Sequence, residues 1–419
     1  MSAIADSPRA GTGRVGGLPG YAVFAGVLSA AGLPIYIHAP KFYADTYSVS
    51  LAAMGTLLAV LRLLDVVQDP LLGRLAEALR HRRAASVAVG GTVMAAGMVG
   101  LFAVTPPVAP ILWFGVTLTL VFSAFSFLTI TFYARGVAKA RGLGTHGHLR
   151  LARWRETGAL LGVCIAAVLP NALGAAGLPP FAGFAVAFAL AAAVAIWFMR
   201  GEWGADGTPD SAGFGPVLRD PVARRLLLVA LANAAPVAVS STLFLFFVES
   251  VLQAAGWEGP LLLLFFLAAA ASAPAWGAIA ERTGAKRALL AAMVLAILSF
   301  GFALTLGAGD IWAFALICVA SGAAVGADLT LLPAMFARRM ADVAPNASEG
   351  FSLWSFAQKV SLAFAAAALL PLLEAAGFSS GRDNSEGALR VLSLLYALVP
   401  CLLKLVAIAI LSTTPIKES

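Results

Sequence analysis

Charge is what this sequence has least of. Asp, Glu, Lys and Arg make up 12% of its 419 residues, against roughly 25% in soluble domains. An ordinary water-facing surface is excluded for most of the chain. Cysteine is nearly absent as well. Cys164, Cys318 and Cys401 each sit in an apolar stretch, and none has the C-x-x-C spacing of a thiolate metal or redox site. They read as small buried hydrophobes. The four histidines are scattered, with His146 and His148 in a loop, and no catalytic constellation forms around them. There is no Gly-x-x-x-x-Gly-Lys-[Ser/Thr] phosphate loop, so nucleotide-driven work by this chain alone is excluded. Residues 1–19 lack the apolar centre of a cleavable signal peptide and read as a short lead-in on the cytoplasmic side. No cofactor is called for.

What is present is hydrophobicity, 60% of residues. It comes in runs of the length a bilayer requires, about 20 residues. Twelve spans emerge, near 20–43, 50–73, 84–105, 110–134, 154–174, 179–199, 225–249, 258–280, 288–307, 311–337, 350–375 and 389–412. The expected fold is all-α and polytopic, with a lipid bilayer as its surroundings and a monomer as its state.

The net charge of +7 does not point to nucleic acid, because the basic residues cluster in alternate loops. With the N-terminus in the cytoplasm, 22 of the 28 Lys and Arg residues fall inside, and only Lys41, Arg382 and Arg390 fall outside. That asymmetry is the positive-inside signature. It predicts both termini in the cytoplasm and a multi-pass protein of a plasma (bacterial inner) membrane. One missed or extra span would scramble the alternation.

The chain also repeats itself. Pro70, Gly73, Ala76, Glu77, Arg82 and Arg83 recur as Pro274, Gly277, Ala280, Glu281, Lys286 and Arg287, each 204 residues later. Internal repeats of this kind mark transporter halves. The expected division is a six-helix half over 20–200, a Gly- and Pro-rich cytoplasmic linker over 201–222, a second half over 223–412 and a tail over 413–419. The repeated segment resembles the cytoplasmic loop motif of the major facilitator superfamily. The small residue permits close helix approach, and the acid and basic pair can latch the halves. The expected latch is Gly73, Glu77, Arg82 and Arg83 with Gly277, Glu281, Lys286 and Arg287.

Charges inside spans cost about 2.5–3.5 kcal/mol each on insertion scales. The densest cluster is Arg62, Asp65 and Asp69, whose spacings of three and four put them on one helix face. Two carboxylates one turn apart repel unless a cation intervenes or one is protonated. That suits them to Na⁺ or H⁺, and the only metal expected is a Na⁺ at Asp65 and Asp69.

The segment Arg62-x-x-Asp65-x-x-x-Asp69-Pro70-x-x-Gly73 resembles the signature of the glycoside–pentoside–hexuronide:cation symporters, the family of the melibiose carrier. The resemblance implies a coupling-cation site at the two aspartates. It implies charge-balancing or substrate roles for Arg62, Arg155 and Lys359. The family's sugar-holding acids on the first and fourth spans fall at Ser29 and Thr129, which puts a galactoside-like substrate in doubt. Trp354 could stack on a sugar ring, and His38, near Tyr36 and Tyr43, could contact the solute or sit hydrogen-bonded at the interface. Asp328 could face a cavity or begin the cytoplasmic exit, and Lys404 could snorkel outward. The expected function is cation-coupled symport of a small organic solute, a sugar or glycoside among the choices. The alternatives are a lysolipid carrier and a non-transporting membrane assembly factor.

Overall fold

A computed structural model describes residues 17–32, 39, 42–43, 46–49, 51–204, 213–344, 347–378 and 384–416. His38 and Lys41, the linker residues 205–212 and the tail residues 417–419 lie outside them. So does the side chain of Arg62, whose backbone is described. Twelve helices carry the fold. In the N-terminal half they are α1 (Leu18–Ala30), α2 (Leu51–Ala78), α3 (Arg83–Phe102), α4 (Pro110–Arg141), α5 (Gly147–Ala175) and α6 (Pro180–Met199). In the C-terminal half α7 (Pro221–Phe246) runs on through a π-turn at Phe247–Val251. It is followed by α8 (Glu258–Thr283), α9 (Ala285–Ala303), α10 (Ile311–Val343) and α11 (Ser348–Ala375). The last, α12, comprises Glu386–Ser393, a π-turn at Leu394–Leu398 and Val399–Ser412. Among the described residues there is no strand. Among the described residues, nine helices are long and apolar enough to cross a membrane, and α1 is a shorter apolar helix.

Helix lengths repeat between the halves. α4 and α10 have 32 and 33 residues, α5 and α11 have 29 and 28, and α3 and α9 have 20 and 19. At 1.5 Å per residue, α4 is about 48 Å long, well beyond the roughly 30 Å hydrocarbon core. The surplus lies at the arginine-rich end, here called the basic end, where the α2–α3, α4–α5, α8–α9 and α10–α11 connections gather. This explains why α2, α4, α5 and α10 outrun their expected spans. Hydropathy stops where charge begins, whereas helical hydrogen bonding continues through Arg135–Arg141 and Arg338–Arg339. In the first expected span, α1 closes at Ala30 and the chain turns at Ala31 and Gly32; most of the rest of that span, over 33–43, lies outside the described residues. The linker also contains a one-turn helix, Gly215–Arg219, that apolar patterning could not reveal.

Glycines set the closest approaches within each half. A Cβ on Gly158 would lie 2.1 Å from the Ala22 carbonyl oxygen, and one on Gly162 would lie 2.1 Å from that of Gly26. α5 therefore packs on α1 backbone to backbone, as small residues allow in membranes. In the other half, Gly322 and Gly326 on α10 press equally hard on Phe265 and Ala269 of α8. Gly158→Leu is expected to force α1 and α5 apart at a cost of at least about 1–3 kcal/mol. A melting temperature equal to that of the unsubstituted protein would remove this contact from the packing argument.

The halves meet along α2 with α11, α5 with α8, and α4 and α5 with α10. Part of this seam is apolar and built from small side chains, with Leu160 of α5 among Ala269, Ala270 and Ala273 of α8. The rest is polar.

Candidate functional site: opposed charges on the seam

Asp65 and Asp69 lie one turn apart on α2. Across the seam, α11 supplies Lys359, whose Nζ donates to Asp65 Oδ1 at 2.8 Å and to Asp69 Oδ1 at 2.9 Å. It also donates to Ser126 Oγ on α4 at 2.7 Å, and Ser126 lies 3.2 Å from Asp65 Oδ1. Gln68 extends the network: its Nε2 donates to Asp65 Oδ1 at 2.8 Å, while its Oε1 accepts from Ser123 at 2.8 Å. Asp69 is fully buried. Its second oxygen, Oδ2, makes no hydrogen bond among the described residues, although Ser355 lies beside the carboxylate.

The described side chains of this cluster bring two carboxylates and one ammonium. A buried carboxylate oxygen without a partner is costly. It is a place where a proton or a hard cation gains most. With Lys359 bonded to both carboxylates and to Ser126, the two halves are tied.

Other expected site residues stand apart from this cluster. Arg155 is buried on α5. Its Nε donates to Glu156 Oε1 at 2.6 Å, its guanidinium lies 3.8 Å over the Tyr133 ring, and Nη2 has no described partner. Tyr133 closes the triangle by donating to the same Glu156 oxygen at 3.1 Å. Thr129 sits one turn beyond Ser126 on α4, with its hydroxyl oxygen buried and without a partner among the described residues. Ser29 is half-buried in the last turn of α1, where its carbonyl accepts from Gly32. Trp354 is buried and packs against Phe336 at 4.9 Å within the C-terminal half.

The repeated motif divides its labour. Gly73 faces Ser352 of α11, where a Cβ would come within 2.4 Å of Oγ. Glu77 pairs with Arg80 at 3.0 Å. In the second copy Gly277 faces the Arg153 side chain, and Glu281 pairs with Arg153 of the opposite half at 3.1 Å. Lys286 instead donates to the Ser412 and Thr414 carbonyls. Arg83 is buried, whereas Arg82 and Arg287 are exposed. At the same end Arg141 donates to the Ala341 carbonyl across the seam. Arg339 clamps Asp220, the N-cap of α7, with Nε at 2.9 Å.

That guanidinium holds the Asp220 carboxyl below its usual range. A lowered acid stabilises the fold above its unfolded pKa and ceases to do so as pH falls through the folded value. Asp220→Asn is therefore expected to lower the melting temperature at pH 7. The deficit should close below about pH 4, the ordinary Asp range. A deficit that persists unchanged at pH 3 would rule the ion pair out as its source.

Sequence reasoning missed Glu156, Ser126 and a second buried cluster. Lys404 does not snorkel. It is buried on α12 and donates to Asn233 of α7 at 2.6 Å and to Asp328 of α10. Asp328 therefore looks inward to its own half, and its Oδ1 is buried without a described partner. Nothing local marked that pairing, since its three members come from helices far apart in sequence. Ser126 carried a signal that went unused: it precedes Thr129 by three residues, on the same helical face.

Two six-helix halves meeting at a seam of opposed buried charges define a membrane transporter of the major facilitator fold, not an enzyme. The chain belongs to the family described as MFS/sugar transport protein, whose model matches residues 18–418. Among solved structures, it is similar to a bacterial homologue of the iron transporter ferroportin in its outward-facing state. The TM-score is 0.69 at 13% identity, covering 94% of this chain and 99% of that one. The E. coli fucose:proton symporter is likewise similar, with a TM-score of 0.67 at 14% identity, covering 95% and 98% of the two chains. No curated protein matches the chain.

Proposed function

We propose that this protein is a secondary active transporter that couples the entry of H⁺ or Na⁺ to the uptake of a small organic solute, a sugar or a close relative of one. The observation that carries the reading is the Lys359 ammonium shared by Asp65 and Asp69 across the seam. A cation arriving at the carboxylates competes with Lys359. The tie between α2 and α11 weakens, and the halves become free to rock about a solute held between them. The family description supports a sugar-type solute, and a structural neighbour is named as a fucose:proton symporter. The basic end faces the cytoplasm, by the distribution of Lys and Arg. The chain acts as a monomer in a bacterial inner membrane.

The test is a melting screen of purified protein with sugars, carboxylates and lysolipids, each with and without Na⁺ and at two pH values. A ligand at 100 times its Kd stabilises the native state by about 2.7 kcal/mol. The expected result is one solute class whose stabilisation depends on the cation. Stabilisation by a solute that ignores both Na⁺ and pH would leave a facilitator in place of a symporter.

A further inference from the structure

Away from the charged seam, a cavity of about 290 Å³ opens at the basic end. It lies between the halves. The N-terminal half contributes Thr145, His146 and His148 from the α4–α5 turn and the start of α5. The C-terminal half contributes Arg282 and Thr283 at the end of α8, and Arg338 on α10. One acid, Glu281, also lines it, but that carboxylate is already paired with Arg153 at 3.1 Å. Arg282 is exposed and makes no ion pair among the described residues. The balance of the cavity is positive.

Its walls add donors to that charge. α5 begins at Gly147 and α9 begins at Ala285, and residues of both first turns line the cavity. Neither helix is capped by a side chain, and neither has an acid in its first turn. The backbone N–H groups of a first turn have no partner within the helix, and they favour negative charge. Two guanidiniums, two imidazoles, the Thr145 hydroxyl and two helix starts form a donor set for an oxyanion with several acceptor oxygens. At about 290 Å³ the space is at the small end of ligand pockets, large enough for a phosphate group and a short ester.

We infer that this cavity binds a phosphate-class anion, and that the bound anion holds the basic end of the seam shut. Charge-assisted bonds reach it from both halves. An occupant adds to the Arg153–Glu281 and Arg141–Ala341 contacts that close this end. It must leave before the halves part there. The anion is thus an inhibitor of opening, and its binding is independent of which cation drives transport. Only the consequence for gating rests on the transport reading above. A free phosphate or phosphate ester and a phospholipid headgroup share this chemistry.

The test uses full-length protein in phosphate-free neutral detergent. Inorganic phosphate is titrated while melting is followed, with chloride at matched ionic strength as the control. A saturable rise in melting temperature with phosphate alone is expected. Arg282→Gln, an exposed position whose loss leaves the packing intact, should weaken apparent phosphate affinity by about tenfold, as expected for a lost bond to a charged group. Arg338→Gln is the second variant. Label pairs placed across the basic end, one on each half, should report a narrower, shorter distance when phosphate is added. Nanodiscs with phosphatidate against phosphatidylcholine, free of phosphate, give the lipid arm. Stabilisation there and not by free phosphate assigns the same site to a headgroup. The inference is overturned if neither source stabilises the protein, if chloride does so equally, or if both arginine variants respond as the unsubstituted protein does. Failure of the cation-dependent solute screen alongside a positive phosphate titration would remove the symport reading and leave this site standing.

Discussion

Asp69→Asn is expected to abolish cation-dependent stabilisation and gradient-driven accumulation while leaving a folded protein. The substitution keeps the side-chain volume and leaves Lys359 bonded to Asp65 and Ser126. What it removes is a fully buried carboxylate with one unpartnered oxygen. An amide cannot take up a proton in the working pH range, and it attracts Na⁺ far less than a carboxylate does. Asp65→Asn should have the same sign with a larger effect on the fold, since Asp65 Oδ1 accepts from Lys359, Gln68 and Ser126. The measurement is solute accumulation in proteoliposomes under an imposed H⁺ or Na⁺ gradient. Accumulation in Asp69→Asn at the rate of the unsubstituted protein would end the assignment of the cation to this pair.

The second large effect belongs to the other buried cluster. Lys404→Met leaves Asp328 without its ammonium in the core of the C-terminal half. Removing one partner of a buried pair costs about 3–5 kcal/mol, because the remaining charge stays desolvated. The single variant should melt far below the parent or fail to accumulate in the membrane. Lys404→Met combined with Asp328→Asn removes both charges and should recover most of that loss, the remainder reflecting the bonds to Asn233. Non-additivity of this kind is what contact between two residues produces. If the double variant were as unstable as the sum of the two singles, the pair would not be interacting as described.

The two clusters show why one was legible in the sequence and the other was not. Asp65 and Asp69 announce themselves because the period of a helix puts residues four apart on one face, and because two such acids in hydrocarbon repel unless a cation intervenes or one is protonated. Their repeat partner segment helps too: Pro274 and Gly277 match Pro70 and Gly73, while Ala273 stands where Asp69 stands, so the acid is specific to one half. The Asp328–Lys404–Asn233 cluster has no such period. Its members lie on α10, α12 and α7, and only tertiary packing brings them together. Arg155 was found through a resemblance, but its neighbour Glu156 was not, although it is the residue that neutralises it. Charges in the first residues of an expected span give no sign of whether they face water or protein; here the ion pair is buried between α4 and α5.

The fold was legible for a different reason. Apolar runs long enough to span and alternating basic loops are properties of the whole chain, insensitive to one misplaced boundary. Helix ends were less legible, because hydropathy reports where lipid stops and not where hydrogen bonding stops. α4 and α10 continue for two turns or so beyond the apolar stretch, and those extra turns build the basic end.

The placement of the glycines has a mechanical consequence. Gly158 and Gly162 lock α5 to α1, and Gly322 and Gly326 lock α10 to α8, each time against main-chain atoms that cannot yield. Along the seam, Gly73 and Gly277 instead abut side-chain atoms, Oγ and Cβ of Ser352 and the Cγ and Cδ methylenes of Arg153, which yield more readily than main chain does. Stiffness is thus concentrated inside each bundle and compliance along their boundary. Thermal fluctuation of the molecule should resolve into two nearly solid blocks sliding on a soft joint, with little bending of any individual helix pair.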